Sequence, residues 1–142
     1  MSRLVCAIFI DGDRILLVRR ASHRKWSPDK WDLVGGHAEK GEELDVALVR
    51  ECQEEVGLTP LALSQIGTLY EAADKKHGSP FHIYSVRLWT GGRAQLLGDE
   101  HSELGWFSAE QVETLELAMS GYREMLLKSL VPDERPMLSS LG

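Results

Sequence analysis

The chain has 142 residues, 43% hydrophobic and 27% charged, the balance of one globular domain that buries a core without staples. Acids outnumber bases 22 to 16, for a formal net charge of -6; this counts against a protein held on nucleic acid by bulk charge, but not against a nucleotide substrate, because bound cations invert a local field. No apolar run approaches the roughly 20 residues that span a bilayer, the start lacks a secretory-signal pattern, and Cys6 and Cys52 form neither zinc spacing nor disulfide framework, so a cytoplasmic protein with reduced thiols is expected.

Leu4–Ile10 is rich in β-branched and aromatic residues and predicts a strand. Asp11-Gly12-Asp13 is a turn, and Arg14–Arg20 a second strand, completing a hairpin. Ala21–Lys30 is a polar loop with Trp26 and Pro28; Trp31–Val34 is a short strand that ends at the Gly35-Gly36 loop signal. Glu42–Val56 lacks Gly and Pro and predicts a helix capped by Gly57. Leu61–Tyr70 reads as strand, Asp74–Pro80 as loop with His77 exposed, and Phe81–Trp89 as strand, with Arg93–Leu97 expected to pair with it across Gly91-Gly92. Asp99–Glu103 is an acidic loop before a short strand, Leu104–Phe107. Ser108 and Gln111 have capping-box spacing for a helix through about Leu115, and Leu117–Leu130 is a second helical stretch. Residues 1–131 are expected to form the domain and 132–142 a flexible tail. Strands and helices alternate without internal repeats, which is the pattern of an α/β or α+β protein.

The chemistry concentrates between Gly35 and Leu58. On a helix, Leu44, Leu48, Glu51 and Glu55 share one stripe, flanked by Ala47 and Glu54. A solvated helix puts its acids opposite its apolar stripe. Here the stripe itself turns acidic, so Glu51, Glu54 and Glu55 are expected to converge where the helix meets the fold. Crowded carboxylates repel unless neutralised, and hard divalent cations such as Mg²⁺ or Mn²⁺ suit their oxygens. The plain alternative is a Glu-rich surface helix braced by pairs such as Arg50 with Glu54.

This segment resembles the Nudix box. Gly36, Glu42, Arg50, Glu51, Glu54, Glu55, Gly57 and Leu58 fill its pattern in register, with Cys52 where a bulky aliphatic residue is usual. The resemblance implies an α/β fold: an α/β/α sandwich with a mixed sheet and a loop-helix-loop motif, hydrolysing a nucleoside diphosphate linked to a further group. It also implies that the Gly36 carbonyl and the Glu51, Glu54 and Glu55 carboxylates hold metal. Glu42 and Arg50 would pair and brace the loop. Glu51 and Glu54 are the box candidates for general base. An acid from the loop before the Trp106 strand is expected to complete the metal site or serve as base, Glu100 by its offset and Glu103 second, with His101 read as an ordinary loop residue.

On the substrate side, the resemblance to the MutT-like branch makes Arg20 a candidate for holding phosphate or base. Trp26, Trp31, Phe81, His82 and Tyr84 offer aromatic surface, most of it core, with Phe81 the candidate for stacking. Two departures bear on the substrate. Val34 stands where a proline often precedes Gly-Gly, and Leu115-Glu116-Leu117 stands where that branch has an asparagine that reads guanine, which weakens an oxidised-guanine assignment. The expectation is a Mg²⁺-dependent hydrolase, with Mn²⁺ as a substitute, that cleaves a nucleoside triphosphate to monophosphate and pyrophosphate, as a monomer or homodimer without nucleic-acid or membrane partners. An ADP-ribose-type pyrophosphatase is the alternative, weakened by an N-terminal arm too short for a swapped domain. A nucleotide-sensing module without catalysis is the non-enzymatic alternative, disfavoured by the intact set of acids.

Overall fold

The computed structural model describes residues 2–70 and 78–131. The expected flexible tail, His77 and most of the loop assigned to 74–80 lie outside the described residues.

Strand β1 (Arg3–Asp11) organises the fold. One edge runs parallel to β6 (Phe81–Thr90). The other pairs antiparallel with β4 (Val34–Ala38) over residues 3–7, then with β2 (Arg14–Arg20) at the Asp11 turn. β2 is flanked by β3 (Trp31–Asp32) and β7 (His101–Ser108), and β6 by β5 (Thr59–Leu69). The sheet is therefore mixed. Alternation along β1 sends Val5, Ala7 and Phe9 to one face and Cys6, Ile8 and Ile10 to the other. The first face packs on α1 (Leu44–Val56) through Ala47, Leu48, Cys52 and Val56. The second packs on α2 (Ala109–Thr114) and α3 (Tyr122–Leu130) through Val112, Tyr122 and Leu126. This is the expected α/β/α sandwich. Leu48 and Leu126 are fully buried on opposite faces, and truncating either to Ala costs about 2–5 kcal/mol.

Four local expectations are corrected. Gly35 and Gly36 end no strand: they lie within β4, where β1 passes so close that a Cβ on Gly35 would strike the Val5 carbonyl oxygen. Residues 93–97 form no strand; the Gln95 and Leu97 amides instead donate to the Val56 and Glu55 carbonyls, satisfying the end of α1. β7 starts at His101, inside the expected acidic loop. The last helix starts at Tyr122, because Trp31 and residues 116–118 exchange backbone hydrogen bonds (Trp31 N to Glu116 O, Ala118 N to Trp31 O) that a helix would have to break. The capping box at Ser108 and the left-handed Gly57 cap (φ 71°) form as expected, although α1 begins at Leu44 rather than Glu42.

Candidate active site

The two glycines of β4 open the sheet beside α1. Gly36 leaves room for Glu51, whose Oε2 would lie 2.5 Å from a Cβ built there. The Gly35 amide donates to Glu55 Oε1 at 2.8 Å. Glu51 and Glu55 thus reach past the sheet edge into a cavity of about 610 Å³ on the α3 side, within the usual range for small-molecule sites. Glu100 lines the same cavity from the segment before β7. Ligand atoms of Glu55, Glu100 and His101 lie within 4.8 Å of one another.

Burial sets the electrostatics of these acids. Glu55 is only 8% exposed, and desolvation pushes its carboxyl up to about 9 despite the Gly35 hydrogen bond. Burial also raises Glu51, with Arg50 opposing. His101 is pushed down to about 4 by burial, so its imidazole is neutral. A divalent cation fits this donor set: carboxylate and imidazole atoms converge, and a positive charge would offset the desolvation that opposes ionisation.

Arg50 is the brace. Its guanidinium grips Glu42 through two bonds of 2.9 Å and donates to the His37 carbonyl at 3.1 Å, tying the loop to α1. That pair draws Glu42 down to about 2. Arg50 Nη1 also reaches Glu51 (3.1 Å) and Glu54 (3.2 Å). Here the structure departs from the expected convergence of three box acids. Glu54 has its side chain 58% exposed and stands at the rim, joined to Glu51 through their shared arginine, and does not line the cavity. The geometric reason is helical pitch: Glu51 and Glu55 are four residues apart on the sheet-facing stripe, while Glu54 lies to its side.

The distal segment separates its two acids. Glu100 faces the cavity and Arg24 (3.5 Å), and its carbonyl accepts from the Ala21 amide, which fastens the segment's backbone. Glu103 lies on β7 and pairs with Arg19 at 2.9 Å, outside the cavity lining.

Arg20 lines the cavity, but much of its guanidinium is committed. Nε donates to the Trp26 carbonyl (2.7 Å), Nη1 to Asp32 Oδ2 (3.2 Å), and the group lies 4.8 Å from the Trp26 ring centroid. Arg24 and Lys25 add cationic groups to the lining. Phe81 lines it beside Trp26, ring centroids 5.9 Å apart, while Trp31 packs on Phe107 in the core. His101, expected to be an ordinary loop residue, instead opens β7 and lines the cavity with Glu55 and Glu100; Arg24, Lys25, Asp32 and Tyr122 do not stand out in the sequence analysis. Asp32 carried a signal: an acid inside the apolar run Trp31–Val34 has to face a partner. Tyr122 carried none.

A family model, the NUDIX domain, matches residues 1–128. The nucleoside triphosphatase NudI of Salmonella typhimurium is 26% identical over 136 residues, covering 90% of this chain and 96% of that protein. Among solved structures, a MutT Nudix hydrolase from Burkholderia pseudomallei superposes with a TM-score of 0.76 at 22% identity, over 92% of this chain and 98% of the other. The Nudix domain of Shewanella oneidensis NrtR, solved with ADP ribose, superposes with a TM-score of 0.71 at 22% identity, over 90% and 87%. With the box filled, its brace assembled and Glu51 and Glu55 opening into one cavity, the chain belongs to the Nudix family as a pyrophosphohydrolase.

Proposed function

We propose that the protein hydrolyses a nucleoside triphosphate to the monophosphate and pyrophosphate, with Mg²⁺ or Mn²⁺ as cofactor. The observation that carries this reading is a single cavity lined both by Glu51, Glu55 and Glu100 and by Arg20, Arg24, Lys25, Trp26 and Phe81. Acids suit cation-bound phosphates, and an aromatic wall with cations suits a base and its remaining charge. The similarity to a nucleoside triphosphatase along almost the whole chain points the same way.

In this reading the Gly36 carbonyl with Glu51, Glu54, Glu55 and Glu100 would hold the cation. Bound there, it would neutralise the pyrophosphate bridge and acidify the attacking water. Glu51, Glu54 or Glu100 takes the proton from that water. Arg50 bridges Glu51 and Glu54 and holds them oriented, which preserves alignment of nucleophile and phosphorus. Arg24, poised against Glu100, exchanges that partner for a phosphate oxygen when substrate enters. Phe81 offers its ring to the base.

The test is a panel of nucleoside triphosphates and ADP-ribose, with products resolved by chromatography, in Mg²⁺ and in EDTA. Pyrophosphate release from a triphosphate, abolished by EDTA, is the expected outcome. Turnover of ADP-ribose alone would transfer the assignment to a nucleoside diphosphate sugar. Glu54→Gln is expected to keep the fold and lower kcat by about 10²–10⁴-fold; turnover within about tenfold of wild type would remove Glu54 from the site.

A further inference from the structure

β2 and β7 pair in unbroken register from Arg14 opposite Ser108 to Arg19 opposite Glu103. Directly opposed residues of two strands share a face of the sheet. Continued alternation would set Ser102 opposite Arg20 and turn the His101 side chain away from that arginine. Instead the register shifts between Arg19 and Arg20. Ser102 becomes the extra residue of a β-bulge, and His101 stands opposite Arg20, which lines the cavity. Beyond the bulge the Ala21 amide donates to the Glu100 carbonyl at 2.9 Å, so the backbone is held on both sides of it. A bulge gives up regular ladder pairing and re-aims a side chain. Here the re-aimed group is an imidazole that lines the cavity, with a ring nitrogen within 4.8 Å of carboxylate oxygens of Glu55 and Glu100. Among the described residues no hydrogen bond engages that ring. Glu55 is anchored by the Gly35 amide, so the three groups are presented by α1, by the segment before β7 and by β7 itself.

We propose that His101 is a nitrogen ligand of the divalent cation and sets its identity, so that the corner formed by Glu55, Glu100 and His101 takes a first-row transition ion such as Co²⁺ or Mn²⁺ in preference to Mg²⁺. Mg²⁺ asks for oxygen donors in near-ideal octahedral geometry and keeps several waters. A corner meant for it has no use for an imidazole. Transition ions accept imidazole together with carboxylates, and their affinity for such mixed sites rises from Mn²⁺ to Co²⁺. Two donors across one ion, each about 2.1 Å from it, stand about 4.2 Å apart, so small side-chain adjustments bring these three groups onto one ion. The inference deepens the proposed function and rests on a cation occupying the cavity, whichever nucleotide is cleaved.

The experiment titrates untagged, metal-free protein with Co²⁺, Mn²⁺ and Mg²⁺ by calorimetry, without nucleotide, in wild type and in His101→Gln. The glutamine is polar and of similar size but lacks the imidazole. Pulsed EPR of the Mn²⁺-loaded protein reads nitrogen coordination directly, and labelling histidine alone with ¹⁵N assigns the coupling. The expected result is histidine coupling in wild type and none in the variant. His101→Gln is also expected to lower Co²⁺ affinity by about tenfold or more while Mg²⁺ affinity changes by less than about threefold. The wild-type spectrum needs no variant, so a His101→Gln protein that fails to fold leaves the proposal decidable. A Mn²⁺ spectrum without histidine coupling, an equal loss of Co²⁺ and Mg²⁺ affinity in a folded variant, or no binding of either transition ion overturns it. Histidine-bound metal without turnover of any triphosphate would uphold the ligand and refute the triphosphatase reading. Mg²⁺-dependent turnover with no histidine coupling would do the reverse.

Discussion

A methyl group separates two neighbouring glycines in kind. At Gly35 it would strike the Val5 carbonyl, a backbone atom fixed by strand pairing; at Gly36 it would strike the end of the Glu51 side chain, which can swing. Gly35→Ala is therefore expected to break the β1–β4 pairing, giving insoluble protein or a melting temperature lower by about 10 °C or more. Gly36→Ala is expected to melt within about 5 °C of wild type and yet lose most turnover, because Glu51 is displaced. Equal effects of the two substitutions on melting and kcat would contradict this assignment. The doublet was legible in sequence as a special place, but its role was not. A sequence shows a missing Cβ without showing which neighbour occupies the space. Asp32 was half legible in the same way, as an acid out of place in an apolar run, whereas Tyr122 looks like any core aromatic until its hydroxyl is found unpaired.

The loop before α1 and α1 itself are one mechanical unit because Glu42 and Arg50 join them. Glu42 ionises at about 2 in the folded protein against an ordinary 4.5, chiefly through its hydrogen bond to Arg50. An acid with a depressed folded pKa stabilises fully above the unfolded value, and that contribution drains away as pH falls towards the folded one. Glu42→Gln should thus lower the urea midpoint at about pH 7, and the gap from wild type should close between about pH 4.5 and about pH 2. A gap of constant size across that window, measured by denaturation at stepped pH, would show that the brace works by shape rather than charge. Elements with local signals were read correctly: β2, the Ser108 box and the Gly57 cap. Those decided by distant partners were not. Residues 93–97 and 116–118 give their backbone groups to α1 and Trp31, the latter 85 residues before Glu116, and nothing in their own composition announces it.

Across the whole molecule, two helical layers cover one mixed sheet, and the acids cross from the α1 layer to the cavity on the opposite side. That arrangement sets the exposed Glu100 close to Glu51 and Glu55, whose carboxyls are raised first by burial and further by the neighbouring acids. A divalent cation that binds only the folded site is expected to raise the melting temperature by mass action, about 2.7 kcal/mol of stabilisation at a hundredfold excess over its dissociation constant. Scanning calorimetry in EDTA and in millimolar Mg²⁺ or Mn²⁺ reads this directly. A melting temperature indifferent to both metals, together with no heat of binding, would mean that the acids hold no cation. The layered class and the box were legible from sequence because periodicity and fixed spacing encode them. The passage of the box acids through the sheet was not, since it depends on two absent side chains in a strand that pairs with the first one.

β4 has a consequence for how such a protein changes over time. It works as a window: Glu51 and Glu55 enter the cavity from α1, while Asp32 and Tyr122 line it from β3 and α3. In the proposed reading, the box acids and the wall that faces the substrate are thereby carried on separate pieces of chain. Variation confined to Asp32, the Trp26 loop and the start of α3 can retune what is accepted while the hydrolytic apparatus stays untouched. A library randomised only at those positions should yield descendants with new nucleotide preferences and the parental cleavage chemistry, a division of labour that a site built on one element could not offer.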